Sequence, residues 1–454
     1  MGDTRESNYM RKVIFLAFGV CLANNGLFAQ KQWTLQECID YALENNIQLK
    51  QSRLTNAQNE LDVKQSKAAL FPTLSFSTNQ NGSWRPFSES TINLTNGTMT
   101  TTRTTTTYNG SYGLNSSVTI WNGGRNTKNI KKSQYTQEMS ELDTERTANS
   151  IQEQIAQLYV QILYQTEAVK VNEEILKASQ QQRDRAKVMV ELGSLAKVDL
   201  VQLEAQVSQD EYNIVNSKSQ LETNKLQLKQ LLELMDVSEF NVAVNNVSES
   251  SVLAPIPDKA SVYQAALNLR PEIKSSKLNV ESSELAVNIA KAGYLPTVNL
   301  NASVGTNNSS GIHTPFFRQV KTNLSNSLGI SVQVPIFDQK QNITNIRKAK
   351  LSQYNSELQL QDAQKTLYSN IENYWLNAYT AQQQYIYAKT NVKSMQESYD
   401  LVSEQFRLGL KNIIELTSGK TNLLQAEQQL LQSKYTTLYN LAMLRFYQGE
   451  AIKL

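Results

Sequence analysis

Residues 367–415 read LYSNIENYWLNAYTAQQQYIYAKTNVKSMQESYDLVSEQFRLGLKNIIE. Up to residue 406, apolar or aromatic side chains recur at alternating steps of four and three residues: Leu367, Ile371, Tyr374, Ala378, Ala381, Tyr385, Ala388, Val392, Met395, Tyr399, Val402 and Phe406. The average period of 3.5 residues is that of a coiled-coil seam. The stretch therefore predicts one continuous helix, about 60 Å long at 1.5 Å per residue.

This helix is expected to end within residues 408–412, LGLKN. Glycine, here Gly409, is common just past a helix end, where the backbone adopts the left-handed conformation. Residues 413–416 then begin a second helical pattern. We interpret residues 343–447 as a long helical hairpin with a tight tip.

An equivalent turn occurs in the first half of the chain. Residues 192–195, LGSL, correspond to residues 408–411, LGLK, and each glycine is followed six residues later by an acid, Asp199 or Glu415. The chain is therefore interpreted as a tandem repeat.

A second internal match supports the duplication, because residues 42–76 align with residues 266–300 and share a Pro-Thr pair. The predicted organisation is a signal peptide (1–29), a first repeat (30–235), a linker (236–258) and a second repeat (259–454). Each repeat would contain a helix (34–70 or 261–294), a β-hairpin (73–121 or 297–337) and a long helical hairpin (127–235 or 343–447). The first helix opens with the capping-box spacing of Thr34 and Glu37 and has a candidate interruption near residues 45–46.

The first 29 residues have the pattern of a signal peptide, with a basic pair, an apolar run and a small-residue cleavage site, and Met1 or Met10 could be its start. Cys38, the one cysteine after this segment, is expected to be a small core residue. No later apolar run approaches the ~18 residues of a membrane-spanning helix, so only strands could cross a membrane.

Strands are predicted after Pro72 and Pro296, because proline disfavours helix at the residue before it. Less polar positions then alternate with polar ones: Leu74, Phe76 and Thr78; Tyr112, Leu114, Ser116, Val118 and Ile120; Val298, Leu300, Ala302 and Val304; Leu328, Ile330, Val332, Val334 and Ile336. The pattern is typical of an outer-membrane barrel, although strands of a soluble sandwich share it. Four strands per chain cannot close a barrel, so partner chains are required, and a dimer would supply eight strands and a trimer twelve.

Two Ser/Thr/Asn-rich segments, residues 84–107 and 305–323, are predicted to be exposed loops. His313, the only histidine, is in the second of them and is expected to be solvated rather than to bind a metal.

A polar seam follows the first tip, at Asp210, Ser217 and Asn224. A half-polar seam suits a helix with one face towards a water-filled lumen, and a helix exposed to solvent fits it equally well.

Composition excludes several functions. The formal net charge of +3 gives no strong field for nucleic acid. One histidine, one cysteine after the signal and no glycine-rich phosphate loop disfavour an enzyme, and no metal or cofactor is expected.

The signal peptide, the start TLQECIDYAL at residues 34–43, the duplicated helix-Pro-Thr-strand unit and the two Gly-x5-acid-Leu tips together resemble the TolC family of outer-membrane efflux proteins. The resemblance covers nearly all of the chain after the signal. It implies a mixed α and β fold: a homotrimer with a long coiled-coil α-helical tunnel in the periplasm and a 12-stranded β-barrel in the lipid of the cell outer membrane. It also implies two protein partners, a periplasmic membrane fusion (adaptor) protein and an inner-membrane pump.

The resemblance also implies roles for the tips. Asp199 and Glu415 match the acids that narrow the periplasmic mouth of the tunnel, although helix capping explains an acid at either position equally well. Gln202 and Ser418 replace a second acid of the family pattern, so the constriction would carry less charge. The matching adaptor-docking tip residues are Gly193, Ser194, Leu195, Gly409, Leu410 and Lys411.

The resulting hypothesis is a passive exit duct of a tripartite efflux or type I secretion system. The alternative is a periplasmic coiled-coil adaptor or structural protein without a pore. The sequence does not identify the transported substrate.

Overall fold

The computed structural model describes residues 32–87, 91–95, 98–102, 106–235, 240–244, 248–310 and 314–454. The predicted signal peptide and His313 lie outside the described residues.

The elements confirm a mixed fold that is rich in helix and contains an antiparallel sheet. The helices are α1 (Leu35–Asn45), α2 (Ile47–Ala68), α3 (Arg125–Glu191), α4 (Lys197–Leu231), α5 (Glu249–Val252), α6 (Lys259–Leu269), α7 (Pro271–Lys291), α8 (Phe316–Thr322), α9 (Gln341–Arg407) and α10 (Ile413–Tyr447). The strands are β1 (Gln32–Trp33), β2 (Thr73–Trp84), β3 (Thr91–Thr95), β4 (Thr98–Thr102), β5 (Thr106–Trp121), β6 (Asn241–Val242), β7 (Thr297–Ser309) and β8 (Ser325–Gln333).

Contacts divide the chain into two units. The helical unit comprises the described residues up to Gln51 together with Glu145–Arg270 and Lys365–Leu454. The sheet unit comprises Ser52–Thr144 and Pro271–Gln364.

The long helices α3 and α9 contain 67 residues each, where the sequence predicts helix over residues 127–192 and 343–408. The 3.5-residue seam of α9 is its packed side, with Leu367, Ile371, Ala378, Tyr399 and Phe406 all buried. Burial of a regular apolar stripe is what stabilises so long a helix, since helix propensity alone contributes little.

The core of the helical unit is apolar. Its fully buried members include Leu228, Leu232, Met443 and Leu444. Cys38 is 0 % exposed among them, which confirms that it is a core residue.

The start of α1 has the capping box that the sequence indicates. The Thr34 hydroxyl accepts from the Glu37 N–H at 3.3 Å, and the Thr34 N–H donates to the Glu37 carboxylate at 2.8 Å.

The predicted linker contributes to this core. Residues 32–33 of β1 pair in parallel with residues 241–242 of β6, and Phe240 and Val242 are buried beside Trp33. The hydroxyl of Tyr159 donates to the carbonyl of Ala243 at 2.8 Å, which ties the segment to α3.

The sheet unit contains an antiparallel sheet in the order β2-β5-β7-β8. Its register puts mostly apolar side chains on one face, in the rows Leu74, Ser116, Ala302, Leu328 and Phe76, Leu114, Val304, Asn326. The intervening row is Ser75, Asn115, Ser303 and Ser327, on the opposite face. The apolar face is exposed within the chain, with Leu328 76 % accessible.

The helix predicted over residues 261–294 is wrong as a single element. It breaks at Arg270, whose backbone is extended (φ −67°, ψ 128°), because Pro271 follows it. The break is stabilised by its own contacts: the Arg270 guanidinium lies 4.3 Å from the ring centroid of Tyr447 and 3.3 Å from the Glu153 carboxylate.

The predicted interruption near residues 45–46 is confirmed. Asn46 is extended, and its amide donates to the Leu231 carbonyl at 3.0 Å while its side-chain oxygen accepts from the Leu49 N–H at 3.2 Å. The bond to Leu49 satisfies a backbone N–H that the break leaves without a helical partner, and the bond to Leu231 satisfies a carbonyl at the end of α4.

The two polar connections are not plain loops, which corrects the prediction. Residues 91–95 and 98–102 pair as a hairpin within the first connection, and the second includes the end of β7 and helix α8. In the second connection, the Gln319 side chain of α8 holds the backbone in this structure. It accepts from the Ser309 N–H at 2.8 Å and donates to the Thr314 carbonyl at 2.6 Å. β8 ends at Gln333, before the Val334 and Ile336 of the predicted strand.

None of the helices in the described part of the chain is long and apolar enough to cross a membrane.

Candidate functional site: the two hairpin tips

The tips of the two helical hairpins have the same backbone geometry. Gly193 and Gly409 each have φ of +72°, a left-handed conformation that side chains with a Cβ rarely adopt. At the first tip the Ser194 N–H donates to the Met189 carbonyl at 2.9 Å, and the Gly193 N–H donates to Val190 at 3.0 Å. This pair of bonds is a Schellman motif, which satisfies the last carbonyls of α3.

The second tip repeats the motif. The Leu410 N–H donates to the Gln405 carbonyl at 2.9 Å, and the Gly409 N–H donates to the Phe406 carbonyl at 3.0 Å. A chain reversal between two long helices is therefore specified by one glycine in each hairpin.

The tips present apolar side chains to solvent. The exposed members are Leu192, Val198, Leu408, Leu410 and Ile414. These side chains leave apolar area at the end of each hairpin that this chain does not cover.

The other predicted docking residues lie around these side chains. Leu195 is half-buried against the apolar cluster below the tips, and Lys411 is half-exposed. The Ser194 hydroxyl donates to the Met189 carbonyl at 2.9 Å, so it contributes to the turn itself.

Glu415 forms a capping box at the start of α10. Its N–H donates to the Asn412 side chain at 2.9 Å, and its carboxylate accepts from the Asn412 N–H at 3.2 Å. The same carboxylate pairs with the Lys411 ammonium. The Lys411 hydrogen bond and then the Asn412 N–H hold the pKa of the Glu415 carboxyl below its usual range. The structure thus brings the predicted gate acid and the predicted tip lysine together.

Asp199 occupies the corresponding position in α4 with a different environment. The residue before α4 is Ala196, which has no side-chain oxygen to cap the helix. Asp199 lies in the first turn, where its negative charge interacts favourably with the helix dipole. The two predicted gate acids are therefore placed alike but held differently.

Gln202 and Ser418 line a cleft of about 610 Å³ between α4 and α10. The lining consists of amides, hydroxyls, alanine and isoleucine, without a charged side chain.

Below the tips, a buried ion pair joins the two hairpins. The Lys420 ammonium of α10 lies 2.6 Å from the Asp210 carboxylate of α4, and each residue is only 3 % exposed. Ser179 of α3 donates to the same Asp210 oxygen at 2.6 Å and accepts from Lys420 at 2.9 Å. Gln206 donates to the other Asp210 oxygen at 2.9 Å. Burial lowers the pKa of the Lys420 ammonium.

This cluster corrects the prediction of a seam facing a lumen or solvent. Asp210 is paired within the chain, Asn224 is buried, and Ser217 accepts from the Asn172 amide at 2.8 Å. The seam is polar because its groups bond to one another across helices. The sequence contains a signal that Lys420 is buried, because this residue continues the three-four spacing of the buried residues Ile413, Leu416 and Leu423.

The site residues and the fold define a class of protein. One chain contributes two long helical hairpins with glycine-turned, leucine-rich tips and a sheet with one apolar exposed face. The family model described as outer membrane efflux protein matches residues 38–233 and 262–450. The chain belongs to this family, which is one of outer-membrane channels and not of enzymes.

Individual relatives are distant. The chain is 22 % identical to the outer membrane protein TolC of Escherichia coli (strain K12) over 294 residues, which cover 63 % of this chain and 58 % of TolC. The match to TolC of Salmonella enteritidis, also 22 % identical, covers 42 % of this chain and 39 % of that protein. The outer membrane efflux protein BepC of Brucella suis is 20 % identical over 405 residues, or 88 % of this chain and 82 % of BepC.

A solved structure shares the fold. The crystal structure of CusC superposes with a TM-score of 0.77 at 18 % identity, and the match covers 93 % of this chain and 95 % of that one.

Proposed function

We propose that the protein is the outer-membrane exit duct of a tripartite efflux or type I secretion system. It would act passively, and substrates would enter from the periplasm or directly from an inner-membrane pump. Family membership and the exposed apolar face of the sheet support this function.

The four-stranded sheet is the main support for the proposed exit duct. In the described part of the chain, β2 and β8 each pair with one neighbour, so both edges of the sheet are open to a further strand. An apolar face with Leu74, Phe76 and Ile330 exposed would be costly in water and favourable against lipid. Three copies would supply twelve strands, which would close a barrel whose polar face lines the pore.

The homotrimer and the tandem repeat belong to this proposal. The shared Schellman geometry of Gly193 and Gly409 supports a duplicated hairpin. Three chains would place six hairpins around one axis, as the periplasmic tunnel requires.

The tips are the proposed docking surface for the adaptor protein. Their exposed leucines, Leu192, Leu408 and Leu410, provide apolar contact area at the end of each hairpin. The inner-membrane pump would then be reached through the adaptor.

Asp199 and Glu415 are the proposed gate. A three-fold axis would bring three copies of each acid near one another, where like charges repel. The Lys411 partner of Glu415 would offset part of that repulsion. We expect Asp199→Ala, Glu415→Ala to raise single-channel conductance and to weaken block by divalent cations in planar bilayers, and unchanged values would leave both acids as helix caps.

Cross-linking of the outer-membrane fraction tests the duct against a pore-free periplasmic adaptor. A duct should be extracted only by detergent, as a trimer that opens a channel in planar bilayers. A soluble monomer without channel activity would support the adaptor instead.

A further inference from the structure

A cleft of about 350 Å³ lies between α3 and α10 in the helical unit, away from the tips. Its lining includes three amides and three phenols: Gln157, Gln161, Gln432, Tyr164, Tyr435 and Tyr439. Thr436 and Val160 complete the lining, so no charged side chain contributes.

One group in this cleft lacks a well-formed hydrogen bond. Tyr435 is 3 % exposed, and none of the described residues bonds its hydroxyl with good geometry. Burial, and then the nearby Glu167 carboxylate, raise the pKa of this hydroxyl. Its ring is fixed by an edge contact with Tyr164, at 6.4 Å between centroids, and by the Lys434 ammonium at 5.0 Å. Lys434 is itself paired with Glu167 at 3.0 Å, so the charges beside the cleft are balanced. A buried hydroxyl without a well-formed hydrogen bond is destabilising, which points to a ligand atom that completes it.

The amides are arranged for a shared ligand. Gln157 and Gln161 are four residues apart on α3, and Gln432 and Thr436 are four apart on α10, so each pair lies on one helix face. Each glutamine offers both donors and an acceptor, which matches neighbouring hydroxyl groups of a sugar. The faces of Tyr164 and Tyr439 offer apolar area for the C–H face of a sugar ring.

We propose that this cleft binds a neutral carbohydrate of about disaccharide size. The uncharged lining gives no preference for an ionic ligand, and the volume is at the lower end of small-ligand sites. An extended peptide is less suited, because it pairs with free backbone groups of a strand edge, and helical walls offer none.

The polar lining continues around α10. Gln432 and Thr436 also line a second cleft, of about 640 Å³, between α9 and α10, together with amides and hydroxyls such as Gln384 and Asn391. A glycan longer than a disaccharide would therefore meet the same chemistry beyond the first cleft. Both clefts lie within the helical unit, and sugar binding there does not depend on the export function.

Binding is tested on the detergent-solubilised full chain, with chitobiose and cellobiose as probes and saturation-transfer NMR as the readout. We expect the variant Gln157→Leu, Gln432→Leu to bind at least about tenfold more weakly, because two amide hydrogen bonds are lost. The control is Gln396→Leu, an exposed amide of α9 outside both clefts, which should bind as the wild type does.

Tyr435→Phe distinguishes a ligand-binding hydroxyl from a structural one. Removal of a hydroxyl without a well-formed hydrogen bond should leave the melting temperature equal or higher while binding becomes weaker. Absence of binding of both sugars to the wild type, or equal binding in the double glutamine variant, would overturn the proposal. A lower melting temperature of Tyr435→Phe with unchanged binding would also overturn it.

Discussion

At the residue scale, the buried Lys420–Asp210 pair gives the sharpest test of packing below the tips. Loss of one partner leaves the other charged in a site that excludes water. We expect Lys420→Met to reduce the free energy of unfolding by about 3–5 kcal/mol, measured by denaturant titration of the detergent-solubilised protein. The exposed Lys197→Met serves as control and should change little.

The double variant Lys420→Met, Asp210→Leu should recover most of that loss, because replacing a buried pair by apolar side chains is often neutral. A double variant no more stable than Lys420→Met would contradict the ion-pair account. Ser179 would then need to be tested as the main partner of Lys420.

The lowered pKa of Glu415 predicts that the stability of the folded protein depends on pH. Because its pKa is lower in the folded protein, its contribution to stability is present above the unfolded value, about 4.5, and is lost as pH falls through the folded value. The melting temperature of Glu415→Gln should therefore be lower than that of the wild type at pH 7, and the difference should vanish well below pH 4.5. Glu397→Gln, exposed on α9, controls for loss of a surface charge. A difference that persists in acid would show that the carboxylate charge is not responsible.

At the element scale, the turns depend on glycine. A valine at Gly193 or Gly409 would adopt a positive φ at a cost of about 1–2 kcal/mol or would reshape the turn. We expect Gly193→Val and Gly409→Val to abolish pump-dependent export while trimers still assemble, as measured by substrate accumulation and cross-linking. Gly329→Val is the matched control, because Gly329 has open space and an ordinary φ. Normal export in both tip variants would argue against docking at the tips.

The elements also show what a sequence determines locally. The seam from Leu367 to Phe406 predicts the C-terminal part of α9, which ends at Arg407, because a regular apolar period reports burial directly. The break at Arg270 is predictable from Pro271. The sequence instead favours a single helix, because the helical pattern continues on both sides of the proline.

The pairing of Asp210 with Lys420 could not be predicted from the sequence. It requires α4 to pack against α10, and the sequence does not distinguish two polar seams that contact each other from two that face water. Similarly, the sequence predicts Glu415 as a helix start but does not give the contact with Lys411 or its effect on the pKa.

At the scale of the whole molecule, the two faces of the sheet should respond differently to charge. Ile330 and Ser331 are neighbours on β8, and they point to opposite faces. We expect Ile330→Lys to be destabilised by about 2–4 kcal/mol in lipid and to be depleted from the outer-membrane fraction. Ser331→Lys should insert normally and alter only conductance. Equal depletion of the two variants would contradict a lipid-facing side.

The unequal starts of α4 and α10 have a consequence for how the tips fluctuate. A side-chain cap is typically worth about 1 kcal/mol, and α10 has one at Asn412 where α4 has Ala196. The first turn of α4 should therefore unravel more often. The first amide hydrogens that are bonded within each helix report this, so those of residues 200–202 should exchange with deuterium about fivefold faster than those of residues 416–418. The two hairpins would then differ in timing, because the tip of the first would loosen before the tip of the second.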